Sequence, residues 1–211
     1  MTRVLVSDTS IIIDLERGDL LSEAFAMPYE FVVPDLLYQR ELADDVGARL
    51  VKLGLIIAEL SGDQVAIAQR FVRVQRKISL PDAFALALAK THSCVLLTGD
   101  QILRELAGVE GVICHGLLWV LDQMLDHSSA SAERLFHSLT RIAAHPRCRL
   151  PKNEVGIRRK AWAAGAGIVL EENRLGRSTR CTCRTRLRSS ESSVMRRFSR
   201  SYWPLGTTHL L

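Results

Sequence analysis

The sequence predicts an α/β fold: a parallel β-sheet flanked by helices on both faces, with a helical C-terminal part and a basic tail expected to be disordered. Three observations predict it. Short aliphatic runs alternate with amphipathic stretches from Arg3 to His115, and repeated alternation of strand and helix builds parallel sheets. The stretch Ser79–Ser93 is apolar around its whole circumference, as expected of a buried helix. At 211 residues and 47% hydrophobic content, the chain can bury one sizeable core and still have length left for an appendage.

Taken in order, "RVLVSD" reads as a strand ending at Asp8, and "TSIIIDLER" switches to helical spacing until Gly18 stops it. "DLLSEAFA" predicts a second short helix and "EFVVPD" a second strand. "LLYQRELADDVGARLVKL" then predicts one helix with Asp35 as its N-cap. "GLIIAEL" is the third strand, and "SGDQVAIAQRFVRVQRK" a further helix. The buried helix leads into "CVLLTGD", a strand closing at Thr98–Asp100. "DQILRELAG" is helical, "GVICHG" a short last strand, and three amphipathic stretches continue to Trp162. One domain over 1–162 and a tail over 163–211 follow.

The net charge of +5 is unevenly divided. Residues 1–162 carry −1 and residues 163–211 carry +6, so the basicity sits in the Arg/Ser-rich tail. That tail shows no sustained apolar period after Leu170, which predicts disorder. Two explanations stand for it: an arginine-rich arm for RNA phosphates, or an extension without selected function, such as a shifted reading frame would produce. The five cysteines form no regular framework, which argues for free thiols in a reducing compartment. No apolar run approaches the roughly 20 residues that span a bilayer, and the start lacks a signal-peptide pattern, so a cytoplasmic protein is expected.

The chemistry-bearing residues are acidic. Asp8 and Asp100 each follow an aliphatic strand, which places both on the same rim of a parallel sheet, where ligands gather. Asp82 lies in the first turn of the buried helix, and Glu41 about one and a half turns into the helix after "EFVVPD". Four converging carboxylates raise one another's pKa values and need compensation, which a divalent cation with oxygen ligands supplies. Such a cation polarises a phosphoryl oxygen and attracts a polyanion, so metal-dependent phosphodiester hydrolysis is the chemistry this pattern fits best.

These residues carry a resemblance. "VSDTSIIIDLERG", "LYQRELAD", "LPDAFALALAK" and "LLTGDQILRELA" together resemble the PIN domain family, particularly the VapC-like toxins of toxin-antitoxin pairs. "HGLLWVLDQML" and "RCRLPKNEV" look like segments of one PIN subgroup, so the likeness spans roughly residues 3–162. It implies an endoribonuclease whose Mg2+ or Mn2+ is held by Asp8, Glu41, Asp82 and Asp100. Ser10 and Thr98 match the family's hydroxyls near that cluster, where they orient a carboxylate or a water. It also implies a homodimer, an RNA substrate and a cognate antitoxin that inhibits.

Each acid has a plainer explanation. Asp8 is placed as a turn or N-cap residue is, Gly99–Asp100 reads equally as a turn, and Asp82 is spaced to complete a capping box with Ser79. Glu41 competes with Asp44 and Asp45 one turn on. Asp14 is near enough in sequence to steady the Asp8 loop, and Arg104 is placed to pair with a carboxylate, touch a phosphate or form a surface ion pair. No histidine shows metal-ligand spacing. A dehalogenase-type phosphatase needs a second Asp where Ser10 stands, and a receiver domain needs adjacent acids that are not there. The surviving alternative is a catalytically inactive PIN-like scaffold that binds RNA or an antitoxin.

Overall fold

The computed structural model describes residues 3–7, 9–43 and 45–169, with 3–7 described by their backbone. The expectations for Asp8, for Asp44 and for the tail beyond Val169 fall outside these residues. Five strands, β1 (Arg3–Ser7), β2 (Tyr29–Pro34), β3 (Ile56–Ala58), β4 (Val95–Leu97) and β5 (Cys114–His115), form one sheet in the order β3-β2-β1-β4-β5. Every pairing is parallel, with Leu5 level with Phe31 on one side and with Val95 on the other. β1 is therefore central. The strand order reverses at β1, on either side of which chain crossovers run in opposite directions.

Helices cover both faces because successive strand residues point to opposite sides. Val33 and Leu97 face one buried cluster, together with α1 (Thr9–Arg17), α2 (Leu21–Phe25), α4 (Asp45–Leu53), α8 (Leu117–Asp126), α9 (Ala132–Ala143) and α10 (Lys152–Ala166). Their neighbours Val32 and Leu96 face a second cluster, with α5 (Gly62–Val74), α6 (Leu80–His92) and α7 (Gln101–Val109). The expected burial of the apolar helix holds: seven residues of α6, from Pro81 to Ala89, are buried. Each fully buried Leu or Phe in these layers contributes about 1.5–3 kcal/mol.

The helix expected over 36–53 is instead broken. A single turn, α3 (Asp35–Leu37), runs into a π-helical turn over Tyr38–Leu42, and Ala43 leaves helical geometry with ψ 44° before α4 begins. Packing forces the break, since Leu42 is buried and Gly47 of α4 lies against its carbonyl. Asp35 is not the N-cap; Pro34 is, and the Asp35 carboxylate accepts the Leu36 N–H at 2.7 Å from inside the first turn. At the other end α10 passes Trp162 and continues to Ala166. Trp162 and Ala163 are both buried, and Gly167, at φ +67°, ends the helix. No helix among the described residues is long and apolar enough to cross a membrane.

Candidate functional site

The site is built on the rim where parallel strands end and their following helices begin. α1 starts at Thr9, directly after Asp8, while α7 starts after β4 and the α3 segment after β2. α6 runs against β4, so its first turn belongs to the same rim, and it packs on α3, β1 and β2. The topology thus puts Glu41, Asp82 and Asp100 around the end of the central strand, β1.

Two contacts join these segments. The Thr9 hydroxyl donates to Glu41 Oε2, so the π-helical turn brings its glutamate to the start of α1. Gly99 sits opposite Ser10: a Cβ at Gly99 would lie 3.3 Å from Ser10 Oγ, which draws the β4–α7 loop against the same helix start. Thr98 fastens that loop. It is fully buried, its N–H donates to the His115 carbonyl at 2.9 Å, and its hydroxyl oxygen accepts the Asp100 N–H at 3.0 Å. Its carbonyl accepts from Arg104 Nη2 at 2.8 Å, and that guanidinium lies 3.0 Å from where a Gly116 Cβ would be. Arg104 is thus a brace for the loop, connecting α7 to the start of α8.

The plainer roles of the acids are real, and they leave room for another. Asp82 completes the capping box, accepting from Ser79 Oγ at 2.6 Å through Oδ2, while Ser79 Oγ accepts the Asp82 N–H at 3.2 Å. Asp100 is the N-cap of α7, with Oδ1 accepting the Leu103 N–H at 2.8 Å. In each of the three carboxylates one oxygen is engaged locally. The other, Glu41 Oε1, Asp82 Oδ1 or Asp100 Oδ2, has no hydrogen-bond partner among the described residues. Hard oxygen donors of this kind suit Mg2+ or Mn2+. Among the described residues, however, no three acidic, histidine or cysteine side chains come together closely enough to hold a metal. Glu41 follows β2 and Asp100 follows β4, so the two flank β1 from opposite sides.

The DUF3368 family model, described as a PIN domain, matches residues 4–157. The chain belongs to the PIN domain family. That match includes the segments at 115–125 and 147–155. Members of the PIN domain family are generally nucleases, and the fold of this chain is nuclease-like. No curated protein matches this PIN domain significantly. Among solved structures, a PilT N-terminus domain protein from Sulfolobus solfataricus P2 is similar at 16% identity and TM-score 0.40, over 59% of this chain and 95% of that one. A protein of Pyrobaculum aerophilum is similar at 20% identity and TM-score 0.40, over 62% and 100%. A domain of a functionally unknown protein from Methanocaldococcus jannaschii is similar at 18% identity and TM-score 0.37, over 55% and 91%.

Two residues of this PIN domain escape a reading of the sequence alone. Thr9, the partner of Glu41, is signalled only by being a hydroxyl next to the strand-end acid. Gly47 is signalled by being a glycine inside a predicted helix, which costs about 1 kcal/mol relative to alanine and so marks close approach. A Cβ there would fall 1.7 Å from the Leu42 carbonyl oxygen and 3.0 Å from the Tyr38 ring, the two ends of the turn that carries Glu41.

Proposed function

We propose that this PIN domain is a Mg2+- or Mn2+-dependent endoribonuclease and the toxin of a toxin-antitoxin pair. The observation that carries the proposal is the set of half-engaged carboxylates: Glu41, Asp82 and Asp100 each keep one oxygen without a hydrogen-bond partner among the described residues, on the rim where β1 ends, and Asp8 is the residue next along the chain. When bound, the cation supplies Lewis acidity to the phosphoryl group and lowers the pKa of water. The chain's own residues hold the geometry. The capping bonds fix Asp82 and Asp100, Thr9 holds Glu41, and Ser10 and Thr98 order the loops between them, so little reorganisation is needed as charge develops at phosphorus. Family membership supports the reading. A homodimer, inhibition by a cognate antitoxin and action in the cytoplasm belong to the same proposal.

A second reading, a catalytically inactive scaffold that binds RNA or antitoxin, is favoured by one observation: among the described residues no three acidic, histidine or cysteine side chains gather closely enough to hold a metal. One assay separates the two. RNA is incubated with Mn2+, with EDTA, and with the Asp8→Asn and Asp100→Asn variants. The nuclease reading expects cleavage only by the unsubstituted protein with metal; no cleavage under any condition favours the scaffold, and cleavage indifferent to EDTA and to substitution is contamination.

A further inference from the structure

We propose that the exposed basic segment Arg73–Lys77, at the junction of α5 and α6, docks the phosphate backbone of single-stranded RNA beside the acidic rim. The proposal rests on RNA being the substrate. Between Asp63 and Asp82 the chain has no acidic residue and four cations, Arg70, Arg73, Arg76 and Lys77. Arg70 is occupied by Glu110 at 2.8 Å. The other three are exposed and form no ion pair among the described residues. Among the other cations, Arg17 pairs with Asp14, Lys90 with Glu110, Arg134 with Asp19 and Glu23, and Arg158 with Asp122 and Glu154, whereas Arg147, Arg149 and Lys152 form a second set with no ion pair among the described residues.

Helix energetics account for only one of the three. Arg73 stands in the last turn of α5, where the negative end of the helix dipole welcomes a cation. Arg76 and Lys77 stand just before Ser79, the N-cap of α6, where the dipole disfavours positive charge. A mobile polyanion compensates for that placement. At most about 18 Å of extended chain separates Lys77 from Asp82, so these side chains lie within reach of a strand bound at the rim. A carboxylate cluster repels RNA, and neighbouring cations supply the attraction that brings a strand to it.

The test measures binding of a 2′-O-methyl oligouridine, which resists cleavage, in EDTA and over a range of salt. The variants are the triple substitution Arg73→Gln, Arg76→Gln, Lys77→Gln and a charge-matched control. That control, Arg147→Gln, Arg149→Gln, Lys152→Gln, alters exposed cations just before and at the first residue of α10 that also form no ion pair among the described residues. The expected result is binding weakened about tenfold and a log–log salt slope reduced by about two in the first variant only. Equal loss in both variants, loss in neither, or tighter binding of a poly-glutamate peptide than of RNA would overturn the proposal. Cleavage of unmodified RNA with Mn2+ is scored in parallel. Absent cleavage with binding that depends on the segment sinks the nuclease reading alone, and cleavage with binding indifferent to the segment sinks this proposal alone.

Discussion

Asp100 shows how one side chain can have a structural and a chemical task. Its Oδ1 caps α7, and its Oδ2 is open on the rim. Asn caps a helix about as well as Asp, whereas Ala costs about 1 kcal/mol. Asp100→Asn should therefore leave the denaturation midpoint nearly unchanged while lowering RNA cleavage more than about a hundredfold. Asp100→Ala should lose both, and paired urea titrations and cleavage rates check the split. The capping box was legible because it depends on spacing alone, S-x-x-D at Ser79–Asp82, whereas Asp100 read as a turn residue at a strand end and its cap on α7 emerged only in the structure. The Thr9–Glu41 bond was not legible either, because its partners are 32 residues apart and meet only through the sheet.

At the scale of elements, the parallel order of strands and helices was legible from periodicity, and the break inside 36–53 was not. A continuous amphipathic pattern does not disclose that Leu42 must be buried while α4 turns away from α3. Gly47 allows that turn. A methyl group 1.7 Å from the Leu42 oxygen cannot be accommodated without moving one element. Gly47→Ala should thus destabilise the fold by about 1–3 kcal/mol, as overpacking does, and should impair cleavage as Glu41→Gln does. The double variant should then be less than additive in cleavage rate, since both changes act on the same carboxylate.

The anchoring of α10 makes a pH-dependent prediction. Arg158 reaches Asp122 of α8 at 2.7 Å and Glu154 at 2.7 Å. Burial pushes the Asp122 carboxyl above its ordinary range, and Arg158 pulls it back. A raised folded-state pKa gives stability that is complete below the unfolded value and lost as pH rises through the folded one. Removing Arg158 lifts that pKa further, so Arg158→Ala should destabilise more at pH 7 than at pH 4. Because Asp122 is partly exposed, the cost at pH 7 should be about 1–2 kcal/mol, below that of a fully buried pair. A loss equal at both pH values would mean that packing of the Arg158 stem dominates.

On the scale of the whole molecule, the sheet order explains why the segments carrying Glu41, Asp82 and Asp100 share one rim. β1 is central, β2 and β4 flank it, and each contributes its carboxylate through the segment that follows or precedes it on one rim. Three of the acids are held in place by bonds of their own, and the proposed nuclease activity makes Asp8 the member on which their joint action depends. Diffraction from crystals grown with Mn2+, recorded at the manganese edge, tests that claim most directly. An anomalous peak about 2.0–2.2 Å from carboxylate oxygens of both Asp8 and Asp100 is the predicted result. A rim without a peak, with the Asp8 side chain turned away from Asp82 and Asp100, would contradict it.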